Sequence, residues 1–219
     1  MEEFYGRLPR RLRRHLKATK LQDDFPARVR IALFRDTKDL DRMFRDIEQV
    51  AKTTYQRGLG VGFEDTPAMR DRMKLAAEKG WLRAYVLYVL EKPCAFWVGT
   101  LYQDLFHSSF TGYDAAYGKY TPGMYLILTA IQGFFEQGNG TPVRAVDFGL
   151  GDAEWKQDLA DSEWLDWSGS IYAATLRGVT LNVLGMITRK LNELGANFLE
   201  RTKYLNKAKK LWRNRLREA

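Results

Sequence analysis

The stretch from His107 to Leu159 constrains the fold more than any other part of the chain. A strand over His107 to Tyr113 runs into a polar loop, residues 114–121, and Pro122-Gly123 then opens a helix. Proline suits a first helical position because its missing N–H would have no intrahelical partner there. Leu126, Ile127, Ala130, Ile131 and Phe134 give this helix one buried face, and Gly138-Asn139-Gly140 closes it. A short strand, Val143 to Phe148, follows, and the turn Gly149-Leu150-Gly151-Asp152 leads into a small helix through Leu159. Two sheet strands joined through a helix lie parallel, so this region is a crossover unit.

Upstream the pattern is antiparallel. Residues Leu82 to Leu90 and Ala95 to Tyr102 flank Glu91-Lys92-Pro93 and are rich in aromatic and β-branched side chains, which predicts a hairpin that the His107 strand continues. Val29 to Phe34 is a further strand. Leu40, Phe44, Ile47 and Val50 recur at three- and four-residue intervals and predict a helix from Asp36 or Thr37. A second helix is expected over 66–79, ending at Gly80. Between these helices, Tyr55 to Phe63 carries three alternate glycines. It follows a helix and lacks a phosphate-loop lysine, so it is read as a loop lining the acceptor side of a cleft. Beyond residue 160 the expectations are a strand from Trp167 to Ala174 and a helix from about Thr180 to the end. A basic helix is also expected over residues 8–17.

Charge is concentrated at the ends. Residues 1–20 carry seven Lys/Arg against two acids and residues 196–219 carry eight against two, a joint +11 in a chain whose net charge is +8, leaving −3 for the body. The basic character therefore belongs to the flanks, which argues against a nucleic-acid backbone in the central cleft. The single cysteine, Cys94, excludes an internal disulfide and lies in the apolar run Pro93 to Trp97, as a core thiol would. With only two histidines, no multi-histidine metal centre is expected and the metal set is none. No apolar run is long enough for a membrane span, so the expected location is the cytoplasm.

Acyl transfer from coenzyme A needs a wedge between two strands for the pantetheine arm and a helix N-terminus for the pyrophosphate. The strand ending at Tyr113, the helix opening at Pro122 and the strand over 143–148 provide both in sequence order. The run Gly112-Tyr113-Asp114, Tyr120-Thr121-Pro122-Gly123, Asp147-Phe148-Gly149, Gly151-Asp152 and Trp155-Lys156 resembles the GNAT-related acetyltransferases of the CelD/BcsL-like, cellulose-biosynthesis family, relatives of the FemABX aminoacyl transferases. The resemblance extends from about residue 45 to about 160. Thr121 stands where that family has serine, and Trp155 where it has tyrosine. An indole cannot protonate a departing thiolate as the phenol does.

The resemblance implies an α/β, GNAT-like fold: a mixed, mostly antiparallel sheet flanked by helices, with a long C-terminal helical extension. With the charged flanks, the chain divides into a basic arm over 1–25, a GNAT-like acyltransferase domain over 26–175 and a basic helical segment over 176–219. Acetyl-CoA, or another acyl-CoA, is the implied co-substrate, held by Phe110, Thr111, Thr121, Pro122, Gly123, Met124 and Tyr125. Lys156, Asp147 and Asp114 are the implied catalytic residues, although Asp147 and Asp152 also suit simple capping of the turn and helix they flank. His107 reads as structural, with deprotonation of an amine as its alternative role. The acceptor is an amine or hydroxyl, such as that of a sugar or cell-envelope precursor. Two alternatives stand beside this: a FemABX-like aminoacyl transfer from charged tRNA, and a degenerate GNAT module that binds without catalysis. The basic C-terminal helix suits an anionic inner-membrane surface, or packing on the domain or on a second copy in an oligomer.

Overall fold

Five strands form one sheet in the computed structural model, which describes residues 6, 8, 12, 20–58, 60, 62–135, 142–151, 153–165 and 170–201. The strands are β1 (Val29–Phe34), β2 (Leu82–Val89), β3 (Lys92–Tyr102), β4 (Leu105–Tyr113) and β5 (Ala145–Asp147), and their spatial order is their chain order. β1 to β4 are antiparallel neighbours, whereas β4 and β5 run parallel. Helices α1 (Lys20–Asp24), α2 (Leu40–Ala51), α3 (Tyr55–Gly58), α4 (Pro67–Glu78), α5 (Pro122–Phe135) and α6 (Glu154–Leu159) accompany the sheet. The mixed sheet flanked by helices is the architecture expected from the residues.

Alternation along the strands sorts the core into two layers. Tyr85, Leu87, Trp97 and Phe106 pack with Leu126, Ile127 and Ile131 of α5. Ala84, Val86, Phe96 and Val98 pack on the other face with Phe44, Ile47 and Met73 of α2 and α4. All eight residues of β2 are buried, as in a strand covered on both faces, and its one charged residue, Arg83, donates to the Gly80 and Leu82 carbonyls. Cys94 is fully buried, and burial pushes its thiol up to about 12, with the charge of Asp114 adding to the effect. Leu8 and Leu12, on the segment expected as a basic arm, are buried with the α5-side cluster; the other residues of 1–19 apart from Gly6 lie outside the described set.

Several boundaries differ from the expectation. The β2–β3 connection is a two-residue turn at Leu90 and Glu91, both with positive φ, and Lys92 and Pro93 already belong to β3. Positive φ at both central residues matches the strand twist, and Asn-Gly is its usual sequence signature. Here the strained pair is held from outside: Leu90 N–H donates to Arg28 O, and Glu91 pairs with Arg30 at 2.7 Å. A single turn of 3₁₀ helix, Thr37–Asp39, precedes α2. The glycine-bearing stretch after α2 includes the short helix α3.

The chain divides into two compact units, residues 1–163 and 164–219. In the second, the strand expected over 167–174 is not formed at residues 170–174, and residues 166–169 lie outside the described set. Helix α7 (Leu176–Arg201) starts earlier than expected because Thr175 caps it, its hydroxyl accepting from Gly178 N–H at 3.1 Å. Among the described residues no helix is long and apolar enough to cross a membrane. Most of the basic C-terminal residues, 202–219, lie outside the described set.

Candidate active site

The parallel pair β4–β5 is short. Its register holds only Leu105 with Ala145, Phe106 with Val146 and His107 with Asp147, while β4 continues for six residues to Tyr113. Beyond Asp147 the chain turns away at Gly149, which has φ +71° and passes close to the Ser108 carbonyl. The two strands thus meet at 107/147 and part above it, leaving a V whose inner edge is the upper half of β4.

A β-bulge sits at the base of this V. Val98 pairs with Phe110 and Gly99 with Ser108, so Ser109 is the extra residue. An extra residue reverses the alternation that follows. Below it, Phe106 and Ser108 face the α5 layer, where Ser108 Oγ accepts from Trp97 Nε1 at 2.8 Å. Above it, Phe110 and Gly112 face the α2 layer: Phe110 stacks edge-on against Phe63 at 5.7 Å, and a Cβ at Gly112 would collide with Phe96. The Ser109 hydroxyl is buried with no hydrogen-bond partner among the described residues. A buried hydroxyl in that condition is costly unless a ligand satisfies it.

Between β4 and α5 the chain forms a 3₁₀ helix, Ala115–Tyr120. Asp114 caps it, its carboxylate accepting from Ala116 N–H at 2.9 Å, while Asp114 N–H donates to Cys94 O. Thr121 adopts left-handed backbone, φ 48° and ψ 51°, directly before α5. For a β-branched residue this conformation costs on the order of 1–3 kcal/mol and persists only where the surroundings enforce it. Those surroundings come from α1. Tyr120 donates to Asp24 at 2.7 Å, Gln22 donates to the Tyr125 hydroxyl at 2.9 Å, and Phe25 meets the Tyr120 ring edge-on.

The start of α5 can be counted amide by amide. Thr121 N–H donates to Gly118 O, Pro122 has none, and Tyr125 N–H makes the first intrahelical bond to Thr121 O. Gly123 and Met124 are therefore the two amides left without an intrahelical carbonyl, in the positive field of a 14-residue helix. Tyr125 has no backbone donor to offer an anion, which narrows the sequence-derived set. Phe110 and Thr111 are also committed, the first to Phe63 and the second through Oγ1 to Phe96 O at 3.2 Å. What this part of β4 offers a ligand is chiefly its backbone edge.

Asp147 and Lys156 meet around the turn after β5. Asp147 Oδ1 accepts from Gly149 N–H at 2.7 Å and Oδ2 lies 2.8 Å from His107 Nδ1. Lys156 Nζ donates to the carbonyls of Gly149 and Leu150 at 3.0 and 2.6 Å. Desolvation lowers the Lys156 pKa, and the charge of Asp147 partly offsets this. Trp155 lies edge-on to Phe148 at 5.4 Å and packs against the α5-side core, so the indole closes the turn from within. Asp152 lies outside the described residues. Sequence reasoning gave His107 a structural role; its placement opposite Asp147 is a register effect that spacing in sequence does not show.

Phe63, at the end of the glycine-bearing stretch, faces the upper half of β4. Phe63 is held against Phe110 because Glu48 accepts from Arg57, which also donates to Phe63 O at 3.0 Å, and from Asp65 N–H at 3.1 Å.

A mixed sheet whose one parallel pair splits beside a helix start defines the class, and the sequence comparison agrees. The family model described as an acetyltransferase (GNAT) domain matches residues 7–157, and the chain belongs to that family. No curated protein matches it in sequence. Among solved structures it is similar to an aminoglycoside acetyltransferase from an uncultured soil metagenomic sample, in complex with sisomicin, at 13% identity over 68% of this chain and 99% of that one, with a TM-score of 0.49. It is also similar to a ribosomal-protein-alanine N-acetyltransferase from Brucella melitensis biovar Abortus, at 12% identity over 65% and 99%, with a TM-score of 0.45.

Proposed function

We propose that this chain transfers an acetyl or related acyl group from coenzyme A to an amine or hydroxyl of a small-molecule or saccharide acceptor. The observation that carries the reading is the split of β4 from β5 above the His107–Asp147 pair, with the start of α5 following β4. The residues present fit a CoA thioester: two helix-start amides for the pyrophosphate, an open backbone edge for the pantetheine amides, and the orphan Ser109 hydroxyl at the base of the V. The thioester supplies the activated acyl carbon, and the chain supplies placement.

In this reading Gly123 and Met124 bind phosphate oxygens, with Thr121 and Pro122 setting their direction. Phe110 and Thr111 keep the β4 edge straight. Asp114 shapes the loop, and Lys156 and Asp147 hold the turn that forms the far wall. Acyl transfer of this kind depends mainly on holding the reacting atoms in near-attack geometry. A cell-envelope acceptor is proposed from the family resemblance, and a peripheral site at the inner membrane face from the basic and apolar composition of residues 196–219.

Calorimetric titration of the full chain with acetyl-CoA tests the reading. Saturable binding is expected, and at about 100 times its dissociation constant the ligand adds about 2.7 kcal/mol to stability. No heat and no thermal shift at millimolar acetyl-CoA would overturn it in favour of a module that does not use CoA.

A further inference from the structure

We propose that His107 takes the proton from the acceptor, with Asp147 as the residue that positions it. The inference deepens the acyl-transfer reading and rests on it. His107 and Asp147 are the last register pair before β4 and β5 part, so they stand at the apex of the V. Cross-strand partners project to the same face. Thr100, the β3 partner of His107, shares the face of Phe96 and Val98, which places the dyad on the α2 side, opposite α5. An acyl group carried into the V from the α5 start would thus be met on its other side by the imidazole.

The hydrogen-bond chemistry sets the tautomer. Facing an ionised carboxylate, which only accepts, a neutral imidazole with the 2.8 Å contact to Asp147 Oδ2 carries its hydrogen on Nδ1 and keeps the lone pair on Nε2. Asp147 is itself fixed by the Gly149 amide on its other oxygen. The His107 side chain is 51% exposed and that of Asp147 26%, so the imidazole can be reached while its orienting partner is sheltered. Beside the pair stand neutral Thr100, the β3 partner of His107, and the Lys156 ammonium of α6, which interacts with Asp147.

The step balances. The acceptor N–H or O–H proton passes to His107 Nε2 as the acceptor's nitrogen or oxygen bonds to the acyl carbon. The carbon–sulfur bond then breaks, the electron pair leaves with the CoA sulfur, and the proton held at Nε2 is returned to solvent or to the thiolate. No oxidant, metal or further reactant is needed.

The test uses the full chain, acetyl-CoA and n-butylamine as a probe amine, with thiol release followed across pH and release to water read in the same series. Acetyl-CoA affinity, measured by calorimetry, is expected to stay the same in His107→Gln. Its kcat/KM is expected to fall by about 10²- to 10⁴-fold at each pH compared. Asp147→Asn is expected to lower the rate with acetyl-CoA binding intact. Imidazole nitrogen NMR reads the tautomer without turnover: Nδ1–H in the wild type and a mixture in Asp147→Asn. A wild type that binds no acetyl-CoA overturns the acyl-transfer reading and the base with it. Binding together with an undiminished His107→Gln rate, an Nε2–H tautomer in the wild type, or a tautomer indifferent to Asp147→Asn overturns the base alone.

Discussion

The Tyr120 hydroxyl donates to the Asp24 carboxylate at 2.7 Å across 96 residues of sequence, and this bond braces the loop that delivers the chain into α5. Asp24→Ala removes a charged acceptor from a nearly buried phenol, so a stability loss of about 1–3 kcal/mol is expected in denaturant unfolding. Acetyl-CoA affinity should fall in the same variant, since the left-handed Thr121 depends on that brace. A variant with unchanged stability and affinity would show that the loop holds itself.

Gly123 is one of two α5 amides without an intrahelical carbonyl. A Cβ built there meets only the Tyr113 ring, at 3.4 Å, so Gly123→Ala should fold normally. Gly123→Val crowds the approach of a phosphate and is expected to weaken acetyl-CoA binding by roughly tenfold or more, the equivalent of about 1.4 kcal/mol. Equal calorimetric affinities for wild type and folded Gly123→Val would remove the pyrophosphate from this helix start.

Lys156→Met keeps the aliphatic stem but leaves the Gly149 and Leu150 carbonyls without their shared donor. Turnover should drop because the turn also fixes Asp147, while the melting temperature moves by only a few degrees, about 2–4 °C per kcal/mol for a chain of this size. Wild-type turnover in this variant would make the lysine a surface group with no part in the site.

Cys94 supplies a pH test with a definite sign. Its folded-state pKa is raised to about 12 by burial, so the native state keeps a proton that the unfolded chain gives up above about 9. Between these values the thiol's contribution to stability falls as pH rises, by at most about 1.4 kcal/mol per pH unit. Unfolding curves of wild type and Cys94→Ala should therefore converge on going from pH 9 to 11, and iodoacetamide should label the native protein only as it unfolds. Parallel pH dependences would show that the thiol is not shielded.

The order of elements from His107 to Leu159 was legible because each carries a local signature: a β-rich run, a proline at a helix start, glycines in a turn. The two-residue turn at Leu90–Glu91 was not, since neither residue favours positive φ and the bonds that stabilise it come from Arg28 and Arg30. Sequence placed Asp147 and Lys156 in the site but could not separate holding the turn from chemistry. That difference lies in distances to His107, Gly149 and Leu150. His107 itself was visible only as a polar residue in a strand, because its significance depends on a parallel register that no local pattern encodes. The strand expected at 167–174 is not formed at residues 170–174, which pair with no strand among the described residues.

The extra residue at Ser109 makes β4 a strand with two addresses. By taking up that residue, the bulge keeps Phe110 opposite Val98 and Gly112 opposite Phe96 on the α2-side layer, while Phe106 and Ser108 stay on the α5 side. With it, the lower half of the strand belongs to the scaffold and the upper half to the wall facing Phe63. A change at Phe110 is therefore felt first by Phe63, and a change at Ser108 by Trp97, so one strand answers to two separate sets of neighbours.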